Sequence, residues 1–130
     1  CHPNCAECFE KGDDVDNNKA AYWFLQAAEQ GDVTAMGNIG ICYLEGTGVT
    51  KNEYKGCYWI QRAANLGDSS RQTKLGDLYR DGVVVRISSS YPYHYDTIIP
   101  KDITQAMYWW NLAAEGGDET AKERLQQIYD

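Results

Sequence analysis

The stretch AAYWFLQAAEQGD, residues 20–32, returns as GCYWIQRAANLGD at 56–68 and as AMYWWNLAAEGGD at 106–118. Each copy keeps Tyr-Trp, then Ala-Ala, then Gly-Asp at the same internal offsets. Ala27-Ala28 recurs at Ala63-Ala64, a shift of 36, and at Ala113-Ala114, a further shift of 50. The second interval is one period plus a 14-residue excess. Self-similarity at this spacing is the mark of a repeat architecture, in which one supersecondary unit is copied along the chain.

A second pattern lies between the copies. AMGNIGICYLEG (35–46) aligns with RQTKLGDLYRDG (71–82), placing Ile39 over Leu75, Gly40 over Gly76, Tyr43 over Tyr79 and Gly46 over Gly82. Apolar residues at i, i+4 and i+8 before a closing glycine predict a helix with a left-handed stop. ETAKERLQQIYD fits the same frame, with Ala121, Leu125 and Tyr129 over Ala35, Ile39 and Tyr43. Helices of one type are therefore expected at 35–45, 71–81 and 119–129, alternating with helices of the other at 17–30, 53–66 and 103–115. A single helical hairpin cannot hide both apolar faces, so stacked neighbours are required: an all-α, α/α superhelical solenoid of antiparallel helix pairs. Gly40, Gly76, Ala20, Gly56 and Ala106 are expected where backbones approach. The repeat-equivalent tyrosines and tryptophans are expected to fill the wider gaps of the core.

Composition narrows the function classes. With 43% hydrophobic residues the chain has material for a core, and one domain spanning 1–130 is expected. No apolar run approaches the roughly 20 residues of a membrane span, so membrane insertion is not expected. Nineteen acidic against twelve basic residues leave a formal charge of −7 without a basic cluster, which disfavours nucleic acid as a partner. His2 and His94 are the only histidines, and no motif sets a carboxylate or nucleophile beside either. Asp32, Asp68 and Asp118 recur with the repeat and read as N-caps for the following helices rather than as acid–base groups. Neither catalysis nor a cofactor is expected. Cys1, Cys5 and Cys8 with His2 have the ligand types of a zinc site, but they fall in a row on the seam of one helix, where cysteine acts as a small hydrophobe. No metal is assigned to them.

The cysteine count is five, so one thiol at least stays unpaired in a monomer. Cys42 falls near the end of one helix and Cys57 near the start of the next, ends that antiparallel packing brings together. In an oxidising compartment, periplasmic or secreted, a bridge between them would contribute roughly 3 kcal/mol by loop closure. Two reduced core cysteines are the alternative. The chain opens at Cys1 with no methionine and no charged-then-apolar leader, so any targeting segment is expected to have been removed or never included.

LGDLYRDG, GICYLEGTGV and KAAYWFLQAAEQGD resemble the Sel1-like repeat, a relative of the tetratricopeptide repeat, over nearly the whole chain. The units implied are a partial first unit at 1–32, a unit at 33–68, a unit with an insertion at 69–118, and the start of a further unit or a capping helix at 119–130. Gln126 departs from the pattern by standing where a glycine is expected, and the second loop is enlarged. The resemblance implies a protein–protein interaction module, an adaptor or scaffold without catalytic residues. By the register of the related architecture, it places Thr34, Asn38, Ile41, Leu44, Asp77 and Arg80, with Glu123 and Gln127 beyond, on a partner-binding groove. Bacterial proteins with these repeats also include inhibitors that neutralise secreted effector enzymes, and a net charge of −7 would suit a basic effector surface.

The segment that holds the 14-residue excess, VVVRISSSYPYHYDTII at 83–99, loses the helical period. β-Branched residues gather at both ends around a serine, proline and tyrosine centre, which predicts a two-stranded hairpin with a long connection. Tyr91, Tyr93 and Tyr95 share one face of any extended stretch there and have the character of interface anchors.

Overall fold

The structure, a computed structural model, describes residues 14–129. The Cys1, His2, Cys5 and Cys8 constellation lies outside the described residues. The described elements run in the order α1 (Asp14–Glu29), α2 (Val33–Glu45), α3 (Glu53–Asn65), α4 (Ser69–Asp81), β1 (Val83–Arg86), β2 (Tyr95–Ile99), α5 (Ile103–Glu115) and α6 (Glu119–Tyr129). Contacts divide the chain into two compact units between Leu66 and Gly67. Mixed composition makes no helix long and apolar enough to cross a membrane among the described residues.

The element bounds follow from capping. The Asp32 carboxylate accepts from the Ala35 N–H at 2.9 Å, Asp68 from Arg71 at 3.1 Å and Asp118 from Ala121 at 3.0 Å. These bonds satisfy donors that the first helical turn cannot pair internally. Because the cap sits immediately before the helix, α2 and α4 begin two residues earlier than the expected 35 and 71. Asn52 and Asp102 cap α3 and α5 in the same way, through the N–H groups of Lys55 and Gln105.

In the first unit α1, α2 and α3 share one core. Ala20, Ala21, Phe24 and Ala28 meet Ala35, Met36, Ile39, Cys42 and Tyr43, with Trp59 and Ala63 from α3. Its close approach runs through Gly40, where a Cβ would lie 2.9 Å from Ile60 Cγ1. Cys42 and Cys57 are both buried in this unit. Burial, and after it the charge of Glu45, pushes the Cys42 thiol up to about 12.

The second unit repeats the arrangement with larger parts. Ala106, Trp110, Ala113 and Ala121 form its centre, with Tyr79, Met107 and Leu125 packed around them. Gly76 stands in the place of Gly40, and a Cβ there would fall 2.5 Å from the Trp110 ring. Buried indole needs an acceptor for its N–H. Trp110 Nε1 finds Asp77 Oδ1 at 3.1 Å and the Thr73 carbonyl at 3.3 Å. Asp77 also takes Arg124 of α6 at 3.0 and 3.3 Å, so a single carboxylate ties α4 to α5 and α6. The Thr73 hydroxyl donates to Asp118 at 2.6 Å and thereby holds the cap of α6 against α4.

One expectation needs correction. Of the tryptophans in the three Tyr-Trp pairs only Trp59 is buried, while Trp109 is half-buried and Trp23 is 45% exposed, and the repeat-equivalent Tyr22, Tyr58 and Tyr108 are 57%, 53% and 57% exposed. Adjacent residues on a helix point about 100° apart, so Tyr and Trp in a Tyr-Trp pair cannot both face the core. The tyrosines instead meet the following tryptophan edge-on, with ring centroids 5.1 to 5.2 Å apart, and the Tyr58 hydroxyl accepts from Arg62 at 3.2 Å.

Candidate functional site

The helical residues picked from the sequence meet different fates. Thr34 is exposed on α2, while Asn38, Ile41 and Leu44 are half-buried. Leu44 is partly a packing residue, since its side chain closes over Gly56 of α3. Glu123 and Gln127 are exposed on α6. Asp77 is corrected to an internal role, because Trp110 and Arg124 engage its carboxylate. Asp77 aligns with Ile41, and Trp110 with Ile60. That paired exchange of an apolar couple for a carboxylate and an indole was the signal in the sequence for an internal bond.

Arg80 lies over the Trp110 ring at 5.8 Å and grips its neighbour Asp81 through two bonds of 3.0 and 3.2 Å. The Arg80 hydrogen bond holds the Asp81 carboxyl below the usual carboxylate range, and the charges of Lys101 and Lys74 add to it. Several cations therefore surround one carboxylate where the 83–99 segment leaves the helices.

That segment is the hairpin its composition predicts. β1 and β2 pair antiparallel, with Val83 opposite Ile99, Val84 opposite Thr97, Val85 opposite Asp96 and Arg86 opposite Tyr95. A bulge falls between Val83 and Val84. Below it Val83 and Ile99 are buried, and beyond it the strands turn out to solvent. The Ile87 N–H donates to the His94 carbonyl at 2.8 Å, which extends the pairing past the strand ends. At the tip Ser88 Oγ accepts from the His94 N–H at 2.7 Å and donates to the Pro92 carbonyl at 3.2 Å. The Tyr91–Pro92 peptide is cis.

This framework presents the three tyrosines. Tyr91, Tyr93 and Tyr95 are 85%, 46% and 61% exposed. Only Tyr95 belongs to a strand, so they do not form one alternating row. They are linked another way: the rings of Tyr91 and Tyr93 meet edge-on at 6.1 Å, and the Arg86 guanidinium lies 4.6 Å over Tyr93. Arg86 stands opposite Tyr95 in the ladder. Tyrosines with a stacked cation are residue types enriched at protein interfaces in general. Among the described residues no three His, Cys, Asp or Glu side chains are grouped to hold a metal ion.

The Sel1 repeat family matches residues 4–32, 33–68 and 86–118 of the chain. Among solved structures, a Sel1 repeat protein from Oxalobacter formigenes is 30% identical with a TM-score of 0.69, over 87% of this chain and 41% of its own. The protein c5321, a protective antigen present in uropathogenic Escherichia coli strains and displaying an SLR fold, is 28% identical with a TM-score of 0.70, over 86% of this chain and 21% of its own. The chain thus spans less than half of either protein. A comparison with curated proteins found no match.

Proposed function

The chain belongs to the Sel1 repeat family, and from that premise we propose that it is a protein-binding module whose principal contact element is the hairpin at 83–99. Sel1 repeat proteins generally mediate protein–protein interactions, on a scaffold that is generally non-catalytic. The observation that carries the assignment is the cluster of Tyr91, Tyr93 and Tyr95 around Arg86, exposed on a hairpin whose foot alone is buried. Exposed aromatics on a rigid support lose little side-chain entropy on binding and supply much of the energy of protein interfaces. Arg80 is proposed as a supporting contact on the helices of the hairpin's own unit, and Thr34, Asn38 and Ile41 as partner contacts of the first unit by itself. Asp77 is left to the fold.

The test begins with affinity capture of the partner and its identification by mass spectrometry. Residues 84–97 are then replaced by a short loop copied from GTGVTKN at 46–52. The shortened protein should remain helical and lose the captured partner, whereas retained affinity would remove the hairpin from the interface. A secreted enzyme among the captured proteins, inhibited on binding, would make the module an inhibitor rather than an adaptor.

A further inference from the structure

The backbone of the hairpin carries information that its side chains do not. In an antiparallel pair, residues alternate between facing their partner with both N–H and C=O and turning those groups outward. Ile87 bonds inward to His94. By alternation Val85 faces Asp96, and the intervening Val84 and Arg86 turn their backbone groups away from β2. The sheet has two strands, so among the described residues no strand covers this edge. Side chains do not close it either, since Val84 is 55% and Ile87 62% exposed. A run of β-branched residues with open backbone groups is a template for a further strand.

Charge selects what that strand carries. The whole chain is acidic, with a net charge of −7, yet the β1 side of the hairpin is not. Arg86 stacks on Tyr93 and makes no ion pair among the described residues. At the foot of the hairpin, Lys101 lies against Gly82. The Arg80 charge is matched by Asp81, whereas Lys74 and Lys101 act on Asp81 only at longer range. The acidic residue of the ladder, Asp96, belongs to β2.

We propose that the outer edge of β1, through the backbone groups of Val84 and Arg86, accepts an extended acidic segment of a partner protein as a third strand, with a carboxylate of that segment meeting Arg86. The proposal rests on the hairpin being the contact element and specifies how it binds.

The probe is a short fluorescein-labelled peptide of alternating glutamate and valine, followed by anisotropy at low and high salt, with a lysine and valine peptide as control. Val84→Pro removes an outward N–H and leaves the inward ladder bonds in place. Thr97→Pro does the same on the outer edge of β2. Arg86→Glu reverses the charge. Protection of the Ile87 amide from hydrogen exchange reports whether each variant keeps its hairpin.

The glutamate peptide should bind saturably and more weakly as salt rises. V84P and R86E should each weaken binding roughly tenfold, and T97P should leave it unchanged. Absence of saturable binding, equal binding of the lysine peptide, or full affinity in a V84P protein with an intact hairpin would overturn the proposal. So would loss of binding in T97P alone, which would move the site to β2. Concentration-dependent dimerisation abolished by V84P would also overturn it, by identifying a second copy as the occupant. If the captured partner is lost on replacing 84–97 but kept by V84P, the edge is wrong and the hairpin assignment stands.

Discussion

The Asp102 N–H donates to the Tyr79 carbonyl at 2.8 Å, and the Asn52 N–H donates to the Tyr43 carbonyl at 2.9 Å. The two bonds join equivalent positions of successive repeats, although one spans a short loop and the other spans the whole hairpin. The hairpin therefore leaves the helical frame and returns to it without changing how α5 is seated after α4.

Shortening the hairpin should accordingly cost the fold little. With residues 84–97 replaced and Val83 and Ile99 retained, thermal unfolding followed by circular dichroism should show a stability change within about 1 kcal/mol. A loss of several kcal/mol would mean that the hairpin supports the helices rather than being supported by them.

Gly76 should tolerate no side chain. The Cβ of Gly76→Ala would stand 2.5 Å from the Trp110 ring, and the indole is locked by its bonds to Asp77 and the Thr73 carbonyl. Overpacking of this kind costs about 1–3 kcal/mol. Urea unfolding should show that loss, and a G76A protein as stable as the parent would contradict the close approach.

Asp77 should behave as a structural residue. Asp77→Ala leaves the Trp110 N–H with only the Thr73 carbonyl at 3.3 Å and takes the carboxylate from the half-buried Arg124 guanidinium, at about 1–3 kcal/mol. A double-mutant cycle with Arg124→Met should show coupling. Partner affinity of the folded D77A protein should be unchanged, and a selective loss of binding would return Asp77 to the interface.

The cysteines of the first unit make a prediction about alkaline pH. Burial raises the Cys42 thiol from an ordinary 9.0 to about 12. Between those values the unfolded chain releases the thiol proton and the folded chain keeps it, so this group's stabilising contribution is complete below pH 9 and is lost as pH rises toward 12. At pH 8 the native protein should leave Cys42 unmodified by a thiol reagent that reacts readily after denaturation. Of five cysteines, fewer than five titratable thiols in denatured protein from its native compartment, with Cys42 and Cys57 protected, would establish the bridge. Five would establish two reduced core thiols.

Much of this fold is written in local pattern. The shifts that align Ala27, Ala63 and Ala113 place the helices, because an apolar seam recurring at helical spacing has one way to be buried. Gly-Asp marks where each second helix starts, since the carboxylate caps the turn that follows. Even the hairpin at 83–99 is legible, as the place where the helical period fails and β-branched residues gather. What pattern could not decide is which way a side chain turns once its helix is packed. The tyrosines of the three Tyr-Trp pairs face water, Asp77 turns inward to Trp110 and Arg124, and Arg86 lies over Tyr93. Each of those outcomes depends on a partner brought close by the packing of other elements, and residues 77 and 124 meet only after three helices have docked.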